Sequence, residues 1–122
     1  MFDDRSPIYR QIAEQVKADV LRGVLRAGDQ VMSTNQYAAH HRINPATAAK
    51  AFQQLVDEGV VYKRRGIGMF VSPDAAEKLR AERRERFFVD VVEPMVDEAR
   101  LIDISLAEIR RHLEGLDDRR RS

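Results

Sequence analysis

Cysteine and tryptophan are absent from this sequence of 122 residues, and no apolar run approaches the ~18 residues that a membrane-crossing helix needs. Without thiols there is no disulfide framework and no cysteine metal site. No charged-then-apolar leader precedes Ser6 and Pro7, so the chain reads as a soluble, cytoplasmic protein with no membrane partner. Excess charge is scarce as well, the net being +1. That sum hides a division: residues 1–72 carry 10 Lys/Arg against 7 Asp/Glu, and residues 73–122 carry 11 against 13. A modestly basic front half is compatible with a phosphate-facing surface. The length allows one modest core and an appendage, and is too short for an ordinary catalytic domain beside them.

Chemistry-bearing patterns are missing too. There is no Ser-His-Asp order, no nucleotide-binding glycine loop and no pair of catalytic carboxylates. His40 and His41 invite a metal reading, but neighbours on a helix diverge by about 100° and neither has a carboxylate or cysteine at i+4 spacing. The expectation is therefore a protein that is not an enzyme and holds no metal or cofactor.

What is present is concentrated between residues 44 and 72. Asn44 is a strong N-cap, Pro45 suits the first helical position, and Gly59 is able to take the left-handed conformation that ends a helix. Between them Ala48, Ala51, Phe52 and Leu55 recur at i, i+3, i+4 and i+7 as a stripe for a core, and Thr47, Lys50, Gln53 and Gln54 lie off it. Val60 to Tyr62 and Met69 to Val71 then read as two strands joined by the tight turn Arg65-Gly66-Ile67-Gly68. Lys63, Arg64 and Arg65 gather at the tip of that hairpin. A basic run of three is usually only a solvated surface, but behind a capped helix with a polar free face it acquires a geometric purpose. Phosphate contacts would fix the pose while the helix meets base edges.

The rest of the front half supplies the other parts. Ser6-Pro7 is expected to open a first helix in the cap-then-proline manner, with Ile8, Ile12, Val16, Val20 and Leu21 as its apolar stripe and Gly23 closing it. Arg26 to Asp29 is a turn and Gln30 to Met32 a short extended link. Ser33 with Gln36 fits a capping box that starts a second helix running to about His41. Helix, helix, turn, helix, hairpin is the order of a winged helix-turn-helix.

From about Asp74 to Ala99 the chain turns helical and highly charged, with Pro94 predicting a bend near Asp90. Ser105 with Glu108 is a further capping box, starting a last helix through Leu106, Ile109, Leu113 and Leu116 that ends about Gly115. Two short helices cannot hide so wide an apolar face against each other, and such a patch marks a partner surface. A second copy is the simplest partner, with Phe88, Val91, Val92, Met95, Ile109 and Leu113 at the dimer interface; the alternative is that both helices fold back on the front half. The expected architecture is mainly α with a small β hairpin. A winged helix-turn-helix DNA-binding domain over 1–72 precedes a two-helix dimerisation tail over 73–116 and a disordered end over 117–122.

Pro7-Ile8-Tyr9 with Gln11-Ile12, Gly23-Val24-Leu25, Ala27-Gly28-Asp29, Asn44-Pro45 with Thr47, Glu58 to Tyr62, Arg64-Arg65-Gly66 and Gly68 to Val71 together resemble the DNA-binding domain of the GntR family of bacterial transcription regulators. The similarity covers about two thirds of the chain, and the fifty residues after it resemble the short YtrA type. That resemblance implies a homodimer on a near-palindromic operator in double-stranded DNA, a repressor's role, recognition helices in successive major grooves and wing tips at the minor groove. A small-molecule effector is left open and unidentified. The matched positions nominate Ser33, Asn35, Thr47, Lys50, Gln54, Lys63, Arg64, Arg65 and Gly66 as DNA contacts. Two departures stand out: Asn35 occupies a place where the family has arginine, and Thr47-Ala48-Ala49-Lys50 replaces the usual Thr-Val-Arg-Arg. Bidentate arginine–guanine pairs are the commonest specific readout, so their loss is expected to weaken sequence reading and spare phosphate binding. The rival expectation is a winged-helix module for protein partners with little sequence-specific DNA binding.

Overall fold

A computed structural model describes residues 6–121 in two compact units, Met1–Ala81 and Glu82–Ser122. Residues 1–5 of the expected DNA-binding segment, and Ser122 of the expected tail, lie outside the described residues.

In the first unit, α1 (Ile8–Leu21), α2 (Thr34–His41) and α3 (Pro45–Asp57) precede a hairpin of β1 (Val61–Arg64) and β2 (Gly68–Val71). The cap expected from Ser6 is replaced by Pro7, which stands at the N-cap without a side-chain bond. Its carbonyl accepts from Arg10 and Gln11 N–H, and the Gln11 amide reaches back to the Ser6 carbonyl. Leu21 gives way to a left-handed Gly23 (φ 79°), as the sequence implied. Ser33 and Gln36 form the full capping box, each side chain bonding the other's backbone. Arg42 then takes a left-handed turn (φ 55°), and Asn44 Oδ1 accepts from Ala46 N–H at 2.7 Å to start α3.

Ile12, Ala13, Val16 and Val20 of α1 and Ala48, Ala51, Phe52 and Leu55 of α3 are buried together with Val60, Val61 and Val71. Leu55 and Ile12 are fully enclosed, and truncating such a residue typically costs about 2–5 kcal/mol. The hairpin is antiparallel with Val61 opposite Val71 and Arg64 opposite Gly68. Because strand side chains alternate faces, Lys63 and Met69 lie on the face of the buried Val61–Val71 pair, and Tyr62, Arg64 and Phe70 on the other. The expected extended link is in fact a third lane of this sheet: Gly28 N–H bonds the Val71 carbonyl, Val71 N–H bonds Asp29, and Val31 N–H bonds Met69.

The first turns of α4 (Ala75–Phe87) bury Ala75 and Leu79 in the first unit. In the second unit the expected kink takes the form of a π-helical turn over Phe88–Val92, after which α5 (Glu93–Leu101) resumes. Pro94 has no N–H to offer the Asp90 carbonyl, and Glu93 N–H bonds Phe88, five residues back. Asp103 (φ 58°) makes the turn, and Ser105 Oγ accepts from Glu108 N–H to begin α6 (Leu106–Arg121). The helix does not stop at Gly115, and 117–121 is not irregular. Gly115 is accommodated inside the helix, Arg121 pairs with Asp117 at 3.4 Å, and three arginines in the last turn complement the helix dipole. Ala99 is the sole buried residue among described positions 82–121.

Candidate nucleic-acid interface

The hairpin tip, the start of α2 and one flank of α3 line a single open groove of about 670 Å³. Its lining includes Ser33, Lys63, Arg64, Arg65 and Gly66 from the sequence-based candidates, together with Gln30, Gln36, Ala49 and Gln53. No carboxylate lines it. Among the described residues neither Lys63 nor Arg65 has an ion-pair partner, so both charges are available to an outside anion. Arg64 is steadied instead, its guanidinium 5.6 Å from the Phe70 ring centroid, and Phe70 stacks on Tyr62.

The turn that carries these cations is shaped by backbone. Gly66 has φ 78°, and Gly68 has φ 143° with a second constraint. A Cβ at Gly68 would stand 2.6 Å from Gln30 Nε2, which itself donates to the Ile67 carbonyl. Glycine at 68 therefore serves close approach as well as the turn, and the third lane through Gln30 braces the tip.

The other four candidates lie elsewhere. Asn35 is exposed on α2 but does not line the groove. Thr47 is half-buried in the first turn of α3. Lys50 is exposed, with Nζ 4.2 Å above the Tyr9 ring of α1, a cation–π contact that holds its stem against the core helix. Gln54 is half-buried and hydrogen-bonds the Glu58 carboxylate. Partial burial by itself raises the Glu58 carboxyl, but hydrogen bonds from Lys17 and Gln54, with the charges of Lys17 and Lys78, outweigh it and hold the group below the usual glutamate range. This is structural pairing at the end of α3, around the buried Lys17.

Gln30, Gln36 and Gln53 line the groove without being among the residues nominated from sequence. Gln53 sits on the free face at helical spacing from Ala49, which was legible; Gln30 enters only through strand pairing 40 residues away in sequence. His41 packs on Tyr37 with ring centroids 4.1 Å apart. Among the described residues no group of three His, Cys, Asp or Glu could hold a metal ion, and no helix is long and apolar enough to cross a membrane.

Residues 8–71 match the family model for bacterial regulatory proteins, gntR family. Over 116 residues the chain is 29% identical to the HTH-type transcriptional repressor YtrA of Bacillus subtilis, covering 93% of this chain and 88% of that protein. It is also 29% identical to the HTH-type transcriptional regulator YhcF of the same organism, over 94% of this chain and 91% of that one. A solved GntR family transcriptional regulator from Listeria monocytogenes superposes with a TM-score of 0.76 at 26% identity, over 93% of this chain and 98% of the other.

Proposed function

Because the chain belongs to the gntR family of bacterial regulatory proteins, we propose that it is a DNA-binding transcriptional regulator that represses by occupying a promoter as a homodimer in the cytoplasm. The observation that carries this is the groove in which a cationic hairpin tip and the flank of a capped helix face the same space, with no carboxylate among its lining residues. Helix α3 enters the major groove of a near-palindromic operator, and Arg65 and Gly66 reach the adjoining minor groove. A narrow minor groove strengthens the local negative potential, which favours an inserted arginine, and a glycine beside it permits close backbone approach. Lys63 and Arg64 neutralise phosphates, and Lys50 does so from the α1 side of the helix. Residues 73–121 form the dimerisation tail.

Dimerisation is supported by the second unit's composition of surface. Phe88, Val91, Met95 and Leu113 are all exposed, and a stretch of forty residues with one buried side chain has no core of its own. A two-fold dimer matches an operator whose half-sites lie about 34–36 Å apart. The notch of about 350 Å³ lined by Met95, Ile104, Glu108, Ile109, His112 and Leu113 would lie at that seam, where a small, largely apolar effector would bias assembly.

Fluorescence anisotropy of duplex DNA titrated with the protein at several salt concentrations tests the reading. Lys50, Lys63, Arg64 and the minor-groove Arg65 make four DNA-directed cations per copy, eight per dimer, and call for a log–log slope of about −7. A protein with neither affinity nor slope would instead be a module for protein partners.

A further inference from the structure

The groove-facing flank of α3 has no arginine to read guanine, and its chemistry favours a different base. Ala49 and Gln53 lie one turn apart on the same face, and both line the groove. We propose that Gln53, with Ala49 beside it, makes this protein select A·T over G·C pairs at a fixed position in each half-site; the inference rests on the DNA-binding reading above.

Three glutamines line the groove, and position together with hydrogen bonding separates them. Gln36 has its carbonyl oxygen committed to Ser33 N–H in the capping box. Gln30 donates one N–H to the Ile67 carbonyl, as Gln53 does to its own partner, but it sits on the sheet lane that braces the hairpin and not on α3. Gln53 donates one N–H to Asp57 Oδ1 at 2.9 Å, one helical turn on. An ionised carboxylate only accepts, which assigns Nε2 to Asp57 and leaves Gln53 with one free N–H and a free carbonyl oxygen.

One donor beside one acceptor is the complement of adenine's major-groove edge, where N7 accepts and N6 donates. Guanine presents two acceptors, N7 and O6, and asks for two donors. Gln53 has a second donor only by breaking its bond to Asp57, and its oxygen would otherwise face O6. Asp57 is therefore a positioning residue: it spends the one amide hydrogen that would let Gln53 tolerate guanine. Ala49 offers a methyl group at the place where a longer cation would reach for guanine, and a methyl suits the C5-methyl of thymine. The 49-to-53 separation is about 6 Å along the helix, so the two residues meet base pairs one or two steps apart.

The experiment selects bound duplexes from a random library with the full chain, then measures affinity for the selected operator and for versions in which single A·T pairs become G·C. For the wild type, one position per half-site loses about tenfold on the exchange. Gln53→Ala abolishes the preference at that position and leaves the other positions and the salt slope unchanged. Asp57→Asn narrows the same A·T to G·C ratio, a comparison in which the gain in overall affinity from the lost negative charge cancels. Ala49→Arg introduces a guanine preference within two base steps. A Gln53→Ala protein that binds DNA with the wild-type ratio at every position overturns this inference alone. A wild type that binds no duplex at any salt concentration overturns it together with the proposed function.

Discussion

At the scale of single residues, the groove separates one cation that is held, Arg64, from two that are free, Lys63 and Arg65. Arg65 lines the groove with no ion-pair partner among the described residues, and its backbone neighbour Gly66 keeps a left-handed turn. Arg65→Ala is expected to weaken DNA binding and to reduce the magnitude of the salt slope by roughly 2 for a dimer, one contact per copy, with melting unchanged. An unaltered slope would remove Arg65 from the DNA-facing surface. Glu58 concerns stability instead. Its pKa in the folded chain lies below the ordinary carboxylate value, so the stability it contributes is present above that value and is lost as pH falls through the folded pKa. Glu58→Gln should therefore lower urea stability at pH 7, where the buried Lys17 loses the closer of its two carboxylate partners, and make a smaller difference at pH 3. An equal loss at both pH values would show that packing, not charge, is responsible.

At the scale of elements, helix ends follow local chemistry closely, with instructive exceptions. The capping box at Ser33 and the side-chain caps at Asn44 and Ser105 form, since each requires only residues within one turn. Gly115 was expected to stop α6 and does not, because a glycine in a helix lowers stability without forbidding it, and the charged turn beyond it is compatible with helix. Nothing lies within 4 Å of a Cβ placed at Gly115. Gly115→Ala should accordingly raise the melting temperature, gaining up to about 1 kcal/mol, as read by circular dichroism. No change would place residue 115 outside stable helix. Pro94 shows the complementary case: its missing donor was legible, but the backbone answers with a π turn and not with a simple bend.

At the scale of the whole molecule, the contrast is between a first unit with a continuous core and a second with almost none. Phe88, in the π turn, is 66% exposed, and Leu113, in α6, is 52% exposed. Regular helices with bare apolar faces are stabilised by association, and a two-fold pairing of copies would supply it. Val92→Asp should then give monomers in analytical ultracentrifugation at micromolar concentration and lower operator affinity at least tenfold, with the front half still folded. Intact protein that sediments as a single monomer would defeat the dimer before any variant is made.

How much of this was readable beforehand depends on the range of the interactions concerned. Elements and their caps depend on neighbours three or four positions away, so the helices around Ile12 and Phe52, the hairpin and the basic tip could be read from spacing and residue type alone. The same holds for the family likeness, since its motifs are local and lie in order along the chain. Which polar residues share a groove was another matter. Lys50 and Gln53 look equivalent off the stripe of α3, yet one lies against Tyr9 and the other lines the groove beside the hairpin. Gln30 reaches the tip because the strand through it pairs with β2, and Gln54 meets the Glu58 carboxylate that Lys17 of α1 also pairs. Sequence by itself determined the elements, their order and the cationic tip, because short-range backbone and periodicity rules suffice for these. Tertiary structure alone decided which side chains face the groove, because that depends on how α1, α3 and the sheet pack on one core.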